Sequence, residues 1–189
     1  MCVLPDMNYF LVATTERDLI FYDLNSHAYT GSIIITNFPA SLTTLDYRMN
    51  LKNSFQSAIF CGDSLGNLFV FQAKDSHRPM FHLSDVNYQL KTDSIRTYIF
   101  PRIINQEYAT VSVLTFCHLH DDWIVQIKWI DDLDLFVSCA LTSKKSLFIG
   151  DLNKKTDKYA EIKKGFAVLD YCQVGLDVYF HPIMPTMNI

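Results

Sequence analysis

The chain has 189 residues, 49% of them apolar and 19% charged, a composition that permits one packed domain and excludes a disordered tail or a low-complexity linker. Its 16 basic and 20 acidic residues leave a formal charge of -4, so no global basic field exists to draw in nucleic acid or anionic lipid. With 14 Phe and 10 Tyr beside only six Gly and six Pro, the composition favours strands, and the expected fold class is all-β.

Cys2, Cys61, Cys117, Cys139 and Cys172 are odd in number and contain no CxxC pair, a pattern that reads as reduced, buried thiols rather than as a disulfide framework or a zinc knuckle. Met1 to Asp6 lacks the basic region of a signal peptide, and no apolar run approaches the ~20 residues of a membrane span. The expectation is a cytoplasmic chain that does not enter a membrane.

Along the chain, short apolar runs alternate with polar turns. Tyr9 to Thr14, the turn Glu16-Arg17-Asp18 and Leu19 to Leu24 form a hairpin pattern, followed by a run at Gly31 to Ile35. The unit returns as Ser41 to Tyr47, Gln56 to Cys61, the turn Gly62-Asp63-Ser64-Leu65-Gly66-Asn67, and Leu68 to Gln72. Between Ala73 and Glu107 no paired strand-turn-strand unit is visible, so residues 73–109 read as an insertion in the second unit, with a short helix expected around Tyr88 to Ile99. Thr110 to Phe116 reads as that unit's outer strand. A third copy runs through Trp123 to Ile130, Leu135 to Ala140 and Ser146 to Leu152, and a fourth opens at Phe166 to Tyr171.

Leu45-Asp46-Tyr47, Ile127-Lys128-Trp129 and Leu169-Asp170-Tyr171 align as apolar, charged and aromatic. The last two triplets lie 42 residues apart and the first two 82. A period near forty with four short strands per unit is the signature of a β-propeller blade. The expected organisation is an incomplete repeat region over 1–189. It has part of blade 1 at 8–38, blade 2 at 41–117 with the insertion, blade 3 at 121–162, the start of blade 4 at 165–180 and an irregular tail at 181–189. No inner strand is recognisable before Tyr9, and Pro182 and Pro185 are expected to block pairing after Gly175. The ends therefore also admit a truncated fragment without independent function.

The Gly62 to Phe71 stretch resembles the turn between the second and third strands of WD40-repeat proteins, which implies a partial, open WD40-type propeller of two full blades plus parts of two others. More narrowly, Trp123 to Ile127, Phe136 to Cys139, Ser143 to Asp151 and Lys164 to Cys172 resemble the large EF-hand/WD-repeat proteins of motile cilia and testis. That resemblance implies a non-catalytic protein-protein interaction scaffold in a ciliary or cytoskeletal assembly, with axonemal or cytoskeletal proteins as partners. The family's blades carry a His, a Ser or Thr, a Trp and an Asp in one hydrogen-bonded set. Here His118 or His120 would be the His of the third blade, Ser138 the hydroxyl and Asp151 the carboxylate, while Gly150 stands where the Trp would be. The EF-hand is missing, since Asp131-Asp132-Leu133-Asp134 lacks the ligand pattern of a calcium loop.

Three strings suggest chemistry. Gly62-Asp63-Ser64-Leu65 matches the nucleophile string of a family of serine esterases and lipases, but Asp177 and His181 do not have the spacing of the partner pair, and a turn between strands explains Gly62, Asp63, Gly66 and Asn67. An esterase using Ser64 remains the alternative function. His118-x-His120 could place two imidazoles on one strand face, yet no third metal ligand follows from the spacing. Neither a metal, a cofactor nor a small-molecule substrate is expected. Lys144, Lys145, Lys154, Lys155 and Lys158 belong to seven lysines within a span of 21 residues whose local net charge is +4, a candidate surface for an acidic protein partner. The patch lacks the interleaved aromatics of a nucleic-acid binder.

Overall fold

The computed structural model describes residues 1–26, 31–81, 95–141, 146–152, 160–162, 168–174 and 177–182, the last three segments as backbone alone. Its strands are β1 (Cys2–Leu4), β2 (Tyr9–Ala13), β3 (Leu19–Asp23), β4 (Gly31–Thr36), β5 (Leu42–Arg48), β6 (Ala58–Asp63), β7 (Asn67–Ala73), β8 (Arg96–Ile99), β9 (Val111–His118), β10 (Ile124–Ile130), β11 (Leu135–Ala140), β12 (Leu147–Gly150), β13 (Ala160–Ile162), β14 (Val168–Val174) and β15 (Asp177–Pro182). A short helix, α1 (Phe100–Ile104), follows β8. Four sheets result, ordered β1-β2-β3-β4-β8, β5-β6-β7-β9, β10-β11-β12-β13 and β14-β15. Successive sheets meet through their first strands, β1 against β5, β5 against β10 and β10 against β14. Apart from β8, the strands of each sheet run antiparallel in chain order, the up-and-down order of a propeller blade.

Apolar residues on alternate strand positions build the contacts between sheets. Leu11, Phe21, Ile33 and Ile35 of the first sheet face Ile59, Cys61, Phe69 and Phe71 of the second. The other side of the second sheet presents Phe60, Leu68 and Val70 to Ile124, Ile127, Trp129 and Phe136 of the third. Every residue of β6 is buried, because the second sheet is covered on both faces. Such strands read as continuous apolar runs rather than as alternation. At the β1–β2 turn the Asp6 carboxylate accepts from the Tyr47 hydroxyl and, at 2.8 Å, from the Ser57 hydroxyl, tying the first sheet to the second. Burial, and then Asp6 itself, push the Tyr47 phenol well above its ordinary range, so it is the donor.

The segment between β7 and β9 differs most from expectation. Arg96–Ile99 is a strand, not part of a helix, and it pairs in parallel with β4, so a piece of the second unit covers the outer edge of the first. Residues 82–94, most of the expected helix, lie outside the described residues. The helix that forms is α1, later in the chain, where Pro101 suits the first turn. Its first residue, Phe100, stacks on Phe38 at 4.5 Å between ring centroids and meets Phe69 edge-on at 4.9 Å.

Two further expectations are corrected. Cys2–Leu4 pairs with Tyr9–Ala13 as an inner strand of the first sheet; three residues are too few for alternation to be legible. Asp177–Pro182 pairs with Val168–Val174 despite its proline. Pro182 is the last residue of an edge strand, where a missing N–H costs little, and Pro185 lies outside the described residues.

Phe100→Ala should lower unfolding free energy by about 3 kcal/mol in urea, because it empties the centre of an aromatic cluster. Leu51→Ala, at a residue 86% exposed, should leave the transition within about 0.5 kcal/mol. Equal midpoints for the two variants would mean that α1 is not docked against the sheets.

Candidate functional site

The turn between β6 and β7 is organised by a buried carboxylate. Asp63 Oδ1 accepts from the Leu65 and Asn67 backbone N–H groups at 2.9 and 2.8 Å, and its Oδ2 accepts from Asn67 Nδ2 at 2.8 Å. Gly66 sits at φ +81°, and a Cβ there would lie 1.9 Å from the His120 carbonyl oxygen. That approach lets the Gly66 carbonyl accept from the Leu119 and His120 N–H groups. Gly62 gives similar room, since a Cβ would meet Thr44 Cγ2 at 2.8 Å and Ile124 Cβ at 2.9 Å. Gly62, Asp63, Gly66 and Asn67 therefore serve to hold the turn and seat the third sheet against the second.

His118 and His120 are separated by their partners. His118 is exposed, with Nδ1 3.2 Å from Asn67 Oδ1. His120 is fully buried, with Nε2 2.8 Å from the Ser138 hydroxyl and its ring edge-on to Phe148 at 5.9 Å. Strand β9 ends at His118, so the alternation that would aim both imidazoles at one ion stops there. Among the described residues no group of three His, Cys, Asp or Glu side chains could hold a metal. Gly150 pairs with Phe136 at the end of β12, and Asp151 follows it half-buried.

A second set of polar contacts joins the first strands of neighbouring sheets. Asp46, largely buried, accepts from Lys128 Nζ at 2.9 Å and from the Trp129 N–H at 2.5 Å. Thr44 Oγ1 accepts from the Ile127 N–H at 3.2 Å. The Arg48 guanidinium lies 4.7 Å over the Trp129 ring and 3.4 Å from Asp134. Sequence reasoning aligned Asp46 with Lys128 as equivalent repeat positions but assigned them no role. The signal was their opposite charge, which places a carboxylate and an ammonium at matching heights on adjacent first strands.

Ser64 is half-buried, and its N–H donates to the Ser41 carbonyl. Among the described residues no hydrogen bond joins its hydroxyl to a histidine, and Asp177 and His181 fall on β15 of a different sheet. Its side chain instead helps line a cleft of about 340 Å³, together with Thr14, Thr15, Ser41, Thr43 and Trp123. Trp123 is 53% exposed beside this cleft, and Leu65 and Leu141, on turns between second and third strands, are 55% and 42% exposed. Sequence reasoning took Trp123 as a strand residue and missed its exposure. Lys144, Lys145, Lys154, Lys155 and Lys158 lie outside the described residues. Cys61 and Cys139 are buried thiols in no described disulfide, and burial pushes Cys61 well above the usual thiol range.

No protein-family model matches the sequence, and no curated protein does. Among solved structures, the C-terminal WD40 domain of Sif2 is similar, with a TM-score of 0.51 at 12% identity, over 90% of this chain and 35% of that one. At that identity the likeness speaks to fold alone. The chain is mostly β and folds as a partial, open WD40-type β-propeller that spans about a third of the Sif2 chain.

A double-mutant cycle on His120→Ala and Ser138→Ala should return a coupling of about 1 kcal/mol, and strict additivity would show that the contact is not made. Gly66→Ala should cost at least about 2 kcal/mol through its positive φ and the clash with the His120 carbonyl. Ser64→Ala should leave hydrolysis of p-nitrophenyl acetate at the background of the unmutated chain; a specific fall in rate would establish Ser64 as a nucleophile.

Proposed function

We propose that this protein is a non-catalytic interaction scaffold of a ciliary or cytoskeletal assembly, with partners docking on the loop face around Trp123. The observation that carries the reading is a division of labour among polar groups. Asp46, Asp63, Asn67, His120 and Ser138 are engaged inside the frame, whereas the turns at one end of the sheets hold Leu65, Trp123 and Leu141 out to solvent. Rigid strands presenting exposed apolar and aromatic loop residues suit recognition of another protein. The ciliary setting draws its support from the sequence similarity over residues 123–172, and the cytoplasmic location from five cysteines without a CxxC pair. The lysines at 144, 145, 154, 155 and 158 are a second candidate surface, suited to an acidic partner.

Epitope-tagged chain expressed in multiciliated cells should mark the axoneme, and the proteins cross-linked to it there should fall away with Leu65→Ala/Trp123→Ala. A diffuse cytosolic signal contradicts the ciliary setting. An unchanged set of cross-linked proteins contradicts the loop-face assignment.

A further inference from the structure

The two turns that supply Thr15 and Trp123 to the cleft carry a marked excess of acidic residues. Thr15, on one wall, is followed by Glu16, Arg17 and Asp18; Trp123, on the other, is preceded by Asp121 and Asp122. Four carboxylates thus lie within three residues of the wall residues Thr15 and Trp123, against one guanidinium. Asp121 lies 3.8 Å from the exposed His118 imidazole, and Asp122 Oδ1 accepts from the Trp123 N–H. Among the described residues no ion pair neutralises Glu16, Asp18 or Asp122.

The walls themselves carry no charge. The Thr14 hydroxyl is engaged with Asp18 backbone groups and the Ser41 hydroxyl donates to the Thr15 carbonyl. The Thr15 and Ser64 hydroxyls have no described partner and are available to an incoming backbone. An exposed indole beside carboxylates is a receptor for a cation, through the negative face of the ring and the field of the acids.

Resting on the loop-face reading above, we propose that this cleft receives a basic, extended segment of a partner protein, with a Lys or Arg side chain laid against Trp123. The carboxylates attract the segment, the indole holds its cationic side chain, and the free hydroxyls meet its backbone. Ser64 on this account is a contact residue for a peptide. The acidic turns reject an acidic segment by the same charges.

Two measurements on the full chain test this. Trp129 is buried, so collisional quenching of tryptophan fluorescence reports chiefly on Trp123. At low salt, with each ion's quenching expressed relative to that of free N-acetyltryptophanamide, caesium should quench severalfold more efficiently than iodide, and the gap should narrow in Glu16→Gln/Asp121→Asn, whose two sites are exposed. Equal relative quenching, or stronger relative quenching by iodide, overturns the proposal. Short random peptides displayed on phage, selected on the chain and counter-selected on Trp123→Ala, should be enriched in Lys and Arg. They should bind about tenfold more weakly to Trp123→Ala and to the Glu16→Gln/Asp121→Asn pair. Peptides that depend on Trp123 without basic enrichment overturn the partner chemistry and leave the loop face standing. No selected peptide, or only peptides indifferent to Trp123, overturns both.

Discussion

Asp46 stands where two sheets become one frame. Its carboxylate takes the Lys128 ammonium and the Trp129 N–H together, fixing the first strand of the third sheet against the first strand of the second. A carboxylate this buried is tolerable only when its oxygens are engaged, and losing either side leaves a buried charge or donor unmatched. Around it, the absence of a side chain at Gly62 and the Thr44 hydroxyl let the strands approach closely enough for that geometry. The pair also sets register, because a shift of β10 by one residue would turn Lys128 and Trp129 to opposite sides.

From that register the rest follows outward. Trp129 is held against Phe60 at 5.5 Å, and Phe60 meets Phe136 at 5.8 Å, so the lock on the first strands carries into the aromatic layer between sheets. The same placement brings the segment before β10 over the Gly66 turn, where the Leu119 and His120 N–H groups find their acceptor. With those backbone groups satisfied, the segment holds Trp123 outward at a defined place. Recognition at Trp123 depends on that chain of contacts, since an exposed aromatic binds well only when the frame beneath it is rigid.

The sequence made some of this legible. Runs such as Leu19 to Asp23 and Leu68 to Ala73, bounded by turn residues, announce strands because apolar patterning and turn chemistry are local properties. The forty-residue spacing of the three triplets exposed the repeat for the same reason. Cys2–Leu4 was illegible because a three-residue strand is defined by its partner, and β8 because a parallel pairing with β4 joins residues some sixty positions apart. Asp177–Pro182 was missed because the rule against proline in strands weakens at an edge. At the site, the turn residues Asp63 and Gly66 could be read from their types. Trp123 could not, since its exposure depends on the packing of a neighbouring turn rather than on anything in its own pattern.

Amide hydrogen exchange followed residue by residue tests the central claim, that the first strands of the second and third sheets form one locked frame beneath exposed loops. Protection should be greatest along β6, β7, β10 and β11 and should include the Trp129 amide, whose acceptor is Asp46. In the turns at residues 14–18 and 119–123, the amides of Thr15, Glu16, Asp121 and Asp122, which have no described acceptor, should exchange orders of magnitude faster. A Trp129 amide that exchanges as fast as those turns, or a β10 that opens independently of β6, would contradict the account.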